Sequence, residues 1–346
     1  MNKKIFDHND IGVVNGNYFA LPYSAEEADL LLLPIPWDAT TSYNDGTSNG
    51  PDAMLAASSQ LDLYDYHVEK AWENKIGTLQ ESSKIVSLNK KTRKTAREVI
   101  SLLEKGSEIE NPEVAKLLQA VNSASVELNE YVYNETKNYL LQNKLIGIVG
   151  GEHSVPLGYI KALSETYENF GILQIDAHAD LRDSYEGFEF SHASIMFNAL
   201  KLESVSRLVQ VGIRDICEQE YNLAAESERI ILFDDFRLKA DEFEGKKWQY
   251  LCKKIVETLP KNVYISFDID GLSPDLCPNT GTPVPGGLSY HEAVYLLAYI
   301  VRTGKRIIGF DLCEVAPGTG NEWDANVGSR ILYKLAQLTM QSNTKN

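Results

Sequence analysis

No stretch of this 346-residue sequence approaches the run of roughly 18 apolar residues that a membrane-spanning helix requires. The first ten residues, Met1 to Asp10, are polar and hold no apolar core of a secretory signal. Cysteine is scarce. Cys217, Cys252, Cys277 and Cys313 are the only four, and no two form a CxxC pair. They read as reduced thiols, so a cytoplasmic protein without a membrane partner is expected. Basic residues are in the minority, 33 against 49 acidic ones, for a net charge of -16. That balance argues against a broad nucleic-acid face. It suits a cationic substrate or a metal ion, although acidity also serves solubility. Internal repeats and low-complexity segments are absent. What is present is 43% hydrophobic residues, enough to bury a sizeable core.

Those hydrophobic residues recur in short runs, each leading into polar or glycine-rich residues. Leu30–Leu33 leads into Pro34, and Leu145–Val149 into Gly150-Gly151-Glu152-His153. Gly171–Ile175 leads into Asp176, Leu208–Val211 into Gly212, and Ile230–Phe233 into Asp234. Val263–Phe267 leads into Asp268, and Ile307–Phe310 into Asp311. Continuous apolar runs of this length suit strands buried on both faces of a parallel sheet. Between them, Leu118 to Leu141 and Tyr290 to Val301 carry apolar residues at helical spacing. Alternating strands and helices predict a doubly wound α/β fold, with ligands bound at the carboxyl ends of the strands. Residues 75–122 have few strand-like runs and many Lys, Glu and Ser residues. They read as a largely helical surface insertion in one domain spanning 1–346. Lys94 to Lys105 is helical in this reading, and Gly106 to Pro112 is a turn.

The strand ends carry the chemistry. Asp176-Ala177-His178-Ala179-Asp180 places two carboxylates and an imidazole at i, i+2 and i+4 just past a strand. In extended backbone, alternate side chains share a side. Such a group packs poorly unless a cation neutralises the carboxylates, and oxygen and nitrogen donors suit Mn²⁺ or a similar ion. The bland reading is a polar loop whose aspartates cap a helix. Asp268-Ile269-Asp270-Gly271 repeats the pattern. Asp-x-Asp-Gly also occurs in aspartate-nucleophile phosphatases, but on their first strand, whereas here it lies late in the chain. His153, at a third strand end, completes an inventory of two His and four Asp, which suits two divalent ions. His192, in Ser191-His192-Ala193-Ser194, is a candidate proton carrier or an ordinary loop histidine. Glu314, just beyond a strand, could grip a cationic substrate or simply lie near a helix start. His8, His67 and His291 have no supporting pattern.

Five segments together resemble the ureohydrolase family of arginases, agmatinases, guanidinobutyrases and formimidoylglutamases. They are Gly-Gly-Glu-His-Ser at 150–154, Asp-Ala-His-Ala-Asp at 176–180, Ser-His-Ala-Ser at 191–194, Ser-Phe-Asp-Ile-Asp-Gly at 266–271 and Glu-Val-Ala-Pro at 314–317. They stand in the family's order. Thr41-Ser42-Tyr43 through Gly46, then Gly50-Pro51, resembles its early active-site loop. The resemblance implies a three-layer α/β/α fold around a parallel sheet of about eight strands. It implies two Mn²⁺ ions per subunit, and Ni²⁺ or Co²⁺ accept similar ligands. His153, Asp176, Asp180 and Asp268 match the ligands of one ion, and Asp176, His178, Asp268 and Asp270 those of the other. His192 matches the family's proton-shuttling histidine and Glu314 the glutamate that holds the guanidinium. Hydrolysis of a small guanidino substrate to urea and an amine follows, in a homo-oligomer, trimer or hexamer. Arg182 stands where arginases typically carry Asn, a departure that points to an agmatinase-like member acting on agmatine. Arg182 could instead pair with a substrate carboxylate. Guanidinobutyrate, arginine or guanidine are therefore the alternative substrates. A non-catalytic binding subunit is the reading from another class, and lost ligands, which would favour it, are not found.

Overall fold

Eight parallel strands form one sheet in the computed structural model, which describes residues 6–344. The first five residues of the polar N-terminal stretch lie outside the described residues. The strands are β1 (Leu30–Ile35), β2 (Ile76–Thr78), β3 (Leu145–Gly150), β4 (Phe170–Ile175), β5 (Val205–Val211), β6 (Ile230–Phe233), β7 (Asn262–Asp268) and β8 (Arg306–Cys313). Their order across the sheet is β2-β1-β3-β8-β7-β4-β5-β6. The helices are α1 (Gly50–Ser58), α2 (Ser83–Glu104), α3 (Pro112–Leu140), α4 (Leu157–Thr166), α5 (Ile195–Ala199), α6 (Glu218–Glu226), α7 (Asp235–Phe243), α8 (Trp248–Glu257), α9 (Tyr290–Arg302) and α10 (Trp323–Asn343).

Strand periodicity divides the core in two. Leu30, Leu32, Val149, Leu173 and Ile175 face one side, where they pack with residues of α8, α9 and α10. Leu31, Leu33, Ile146, Ile148 and Ile172 face the other, against residues of α3, α4 and α5. Two separate cores on opposite faces of one sheet make the three-layer α/β/α arrangement that the sequence predicts. Each fully buried Leu, Ile or Val contributes about 1.5–3 kcal/mol of apolar transfer, so a charge on either face of β3 would be strongly destabilising.

Every apolar run read as a strand is one. Two boundaries differ. β8 runs on to Cys313, so Asp311 lies inside the strand, wholly buried, rather than at its end. Residues 75–122 do not stand apart from the sheet. They open with β2, a three-residue edge strand paired with β1, too short to show as an apolar run. The limit at 122 also falls inside α3, which continues to Leu140 and buries Leu128 and Val132 in the main core. Ser82 caps α2 by accepting from the Ile85 N–H, and Asn111 caps α3 ahead of Pro112. The two helices form a hairpin around a small third core of Val99, Ile100, Val114, Leu118 and Val121. Among the described residues no helix is long and apolar enough to cross a membrane, and all four cysteines are unpaired.

Candidate metal centre

The chain skips two places in the sheet between β3 and β4, and β8 and β7 later fill the gap. Residues far apart in sequence are thereby delivered by the four central strands at their carboxyl ends. His153 follows β3, Asp176 to Asp180 follow β4, Asp268 and Asp270 end β7, and Glu314 follows β8. Gly151 makes the exit from β3 possible, since a Cβ there would lie 2.0 Å from the Trp37 carbonyl oxygen.

Around His153 the geometry is close. Its Nδ1 lies 2.9 Å from Asp176 Oδ2, 3.0 Å from Asp180 Oδ2 and 3.4 Å from Asp268 Oδ2. The nitrogen is buried, yet it makes no hydrogen bond of acceptable geometry. Nε2 is held by the Ser266 hydroxyl at 2.8 Å. His178 Nδ1 lies 3.0 Å from Asp270 Oδ2 and 3.6 Å from Asp176 Oδ1, while its Nε2 looks toward Asp215 at 4.0 Å. Ligand atoms therefore gather in two sets, His153 with Asp176 and Asp268, and Asp176 with His178 and Asp270. Asp176 is common to both. Asp268, matched to both ions from sequence, belongs to the first set here. Asp180 stands beside the first through His153. A buried imidazole nitrogen without a hydrogen bond, ringed by carboxylate oxygens, fits divalent cations.

The electrostatics of the side chains alone show the same tension. Burial alone would raise Asp176, but the adjacent imidazoles of His153 and His178 hold it well below the usual carboxylate range. Burial, then the charge of Asp176, pushes Asp180 up to about 7. Burial, then the charges of Asp270 and Asp176, raise Asp268 well above its ordinary value. Burial works to lower His153, but the close carboxylates of Asp176 and Asp180 raise it well above its ordinary value. The cluster thus draws in protons to supply positive charge among its carboxylates.

A stability prediction follows from Asp180. Its folded pKa of about 7 exceeds its unfolded one, so its favourable contribution is full below about pH 4 and is lost as pH rises through 7. A bound cation removes that loss, because it competes with the proton. The gap in melting temperature between Mn²⁺-loaded and chelated protein is therefore expected to widen from pH 5 to pH 7.5. A gap that stays constant or shrinks across this range would contradict a cation at Asp180.

Two further residues face the cluster. Glu314 Oε1 accepts from the His153 N–H at 2.9 Å, while Oε2 is buried and unpartnered. Gly281 abuts that oxygen, and a Cβ there would come within 2.9 Å of it. Burial, then the charge of Glu152, raises the Glu314 carboxyl well above its ordinary value. Glu314 and Asp180 both adopt positive φ, at 63° and 54°. Left-handed non-glycine residues cluster at working sites. His192 lies in a short 3-10 turn (His192–Ser194), with its N–H on Thr40 Oγ1 at 3.3 Å and its ring edge-on to Tyr185. Burial, then the charge of His178, lowers its pKa to about 3.

A cleft of about 170 Å³ opens beside the cluster, lined by Ser42, His178, Asp180, Arg182, Tyr185 and His192 among others. The structure thus brings all nine sequence-selected residues to one place. Arg182 is not free within it. Its guanidinium stacks 4.9 Å above the Tyr185 ring, and its Nε lies 3.7 Å from the buried Glu220. Sequence reasoning missed Thr40, Glu152 and Ser266, which position the named groups. Each lies inside or beside a quoted motif, but a lone hydroxyl or a buried acid carries no signal of its own.

The sequence pattern of the Arginase family matches residues 28–337. An N(1)-aminopropylagmatine ureohydrolase of Thermus thermophilus is 32% identical over 298 residues, covering 86% of this chain and 85% of that protein. The agmatinase of Pyrococcus horikoshii is 29% identical over 319 residues, 89% of this chain and 91% of that protein. In fold, the crystal structure of agmatine ureohydrolase of Thermoplasma volcanium superposes with a TM-score of 0.71 at 23% identity, over 94% of both chains.

Proposed function

The chain belongs to the arginase family, and from that premise we propose that it is a two-metal ureohydrolase converting agmatine to putrescine and urea. The observation that carries the reading is a juxtaposition. A carboxylate cluster around the hydrogen-bond-free His153 Nδ1 lies beside an unpartnered, buried Glu314 oxygen. The first suits dications and the second suits a guanidinium. A second reading, N1-aminopropylagmatine as substrate, draws support from the Thermus relative's name. We read the chain as one catalytic domain, assembled as a homotrimer or homohexamer in the cytoplasm.

His153, Asp176, Asp180 and Asp268 would hold one ion, and Asp176, His178, Asp268 and Asp270 the other. When bound, such a pair lowers the pKa of water from about 15.7 toward neutrality and so supplies a hydroxide nucleophile. Mn²⁺ is the proposed metal, and Ni²⁺ and Co²⁺ accept similar donors. The chain's own residues do the rest. Glu314 anchors the guanidinium through a charge-assisted hydrogen bond and holds its carbon against the nucleophile. Asp180 accepts a hydrogen bond from the attacking hydroxide and orients it. His192, on the cleft wall, takes at Nε2 the proton that the adduct's hydroxyl gives up as urea's carbonyl forms, and passes it to the leaving nitrogen as its bond to carbon breaks. The Arg182–Tyr185 stack walls the cleft on the side of the substrate's other end.

The test is a urea-release screen with Mn²⁺ and Ni²⁺ in parallel. Agmatine, N1-aminopropylagmatine, guanidinobutyrate, arginine and guanidine form the panel. Urea from the two agmatine-type amines is expected. Preference for guanidinobutyrate or arginine would move the chain to a sibling activity. No urea from any compound with either metal would leave the non-catalytic reading.

A further inference from the structure

We infer that Arg93 is a positioning residue for this reaction, acting from helix α2 through Thr40 on His192. The inference rests on the reading of His192 as proton carrier.

It starts from a stripe on α2. Asn89, Arg93 and Arg97 stand at i, i+4 and i+8, on one face of the helix, and all three reach the same loop. Asn89 Nδ2 donates to Asp38 Oδ1 at 2.9 Å, and its Oδ1 accepts from the Asp38 N–H at 3.0 Å. Arg93 Nη1 donates to the carbonyls of Ala39, at 3.3 Å, and of Thr41. Its Nη2 pairs with Asp45, which Arg97 also grips. The Arg93 side chain is only 11% exposed, and its bonds to the two carbonyls are partly buried, whereas Asp45 stands at the surface. A planar guanidinium can hold two carbonyls and a carboxylate together, which a lysine ammonium cannot match.

The two carbonyls held by Arg93 flank Thr40. Thr40 donates its N–H to Glu152 Oε2 at 2.7 Å and its hydroxyl proton to Glu152 Oε1 at 2.8 Å. A hydroxyl has one proton. Toward His192 the Thr40 oxygen can therefore only accept, from the His192 N–H at 3.3 Å and from Nδ1 at 3.5 Å. Ser191 Oγ lies 3.4 Å from the same Nδ1, and a proton on Nδ1 lets that nitrogen donate to either oxygen and leaves Nε2 bare to accept a proton. The same hairpin braces the other wall. Phe188 is buried in the α2–α3 core, and Asn122 of α3 bonds Gly187 O and Glu189 N. Tyr185, whose ring meets His192, lies in that loop. The helices of 75–122 thus grip both segments that confine His192.

The experiment uses the full chain. In Mn²⁺-loaded enzyme with agmatine, Arg93→Ala is expected to lower kcat about 10- to 100-fold, with KM changed less than about threefold, because misplacing one reacting group costs that much. Arg93→Lys should recover part of the loss. Arg97→Ala, which breaks only an exposed pair with Asp45, should stay within about twofold of wild type. Adding Arg93→Ala to His192→Asn should cost nothing further, since the first acts through the second. In metal-free protein, Arg93→Ala should speed amide exchange across residues 39–46 and shift the His192 imidazole ¹⁵N signals away from the Nδ1–H tautomer. Losses that multiply in the double variant, or exchange and tautomer unchanged, overturn the proposal. If wild type releases no urea from any guanidino compound, the proposed function fails, and the exchange and ¹⁵N measurements still decide the bracing. Should Arg93→Ala not fold, Arg93→Lys carries the same readouts.

Discussion

Asp176→Asn is expected to abolish binding of both ions and to lower urea release by more than about 10³-fold, above the ~10²–10³ that loss of one oxyanion donor costs. Asp176 is the residue common to both ligand sets. Its two oxygens divide between them, Oδ2 at 2.9 Å from His153 Nδ1 and Oδ1 at 3.6 Å from His178 Nδ1. Both oxygens also accept from fixed donors, Gln174 Nε2 at 2.8 Å and the His178 N–H at 2.6 Å. Gln174 is itself clamped by Gln210. The carboxylate therefore cannot turn to relieve a substitution. An asparagine would aim an NH₂ donor at one of these donors and would remove a charge that balances the dications. Metal content of the purified variant and its urea release, measured together, check the outcome. A variant that kept both ions and a tenth of the activity would refute the shared-ligand assignment.

Glu314→Gln is expected to leave metal content unchanged and to depress kcat/KM. The loss should be roughly 2–5 kcal/mol, the range for truncating one partner of a buried hydrogen-bonded charge pair. That corresponds to about 30-fold to several thousand-fold. The side chain is fixed by the His153 N–H on Oε1, and the Thr280 hydroxyl holds its backbone carbonyl at 2.8 Å. Oε2 is buried beside Gly281 with no partner in the protein. A glutamine would either turn an amide toward a guanidinium or lose the His153 bond. The contrast with Asp176 is the diagnostic part. One substitution removes the ions, and the other removes only the grip on substrate. Activity within threefold of wild type on agmatine, with metal retained, would mean that another group holds the guanidinium.

The strands were legible because an uninterrupted run of Leu, Ile and Val at this length has few homes other than a sheet covered on both faces. β2 was not, because Ile76-Gly77-Thr78 is shorter than any periodic signal and forms by pairing with β1. The end of β8 reads from sequence as Phe310, whereas the strand runs on to Cys313. A buried acid inside β8 interrupts the apolar run that marks a strand. The six candidate ligands were legible through spacing and through a resemblance in motif order.

By itself, the sequence determined which residues lie at strand ends, what donors they offer and to which family the chain belongs. Those are properties of local spacing and composition. Only the tertiary structure decided that β8 and β7 fill the gap between β3 and β4, and so set His153 beside Asp176 and Glu314. It alone showed His153 Nδ1 and Glu314 Oε2 buried without hydrogen bonds, Arg182 engaged by Tyr185 and Glu220, and α2 gripping the loop at 38–45. The reason is physical. Periodicity reports a residue's relation to neighbours a few positions away. Contacts such as Arg93 with Thr41, or Glu314 with His153, are made when loops close and elements pack, and no short pattern encodes them.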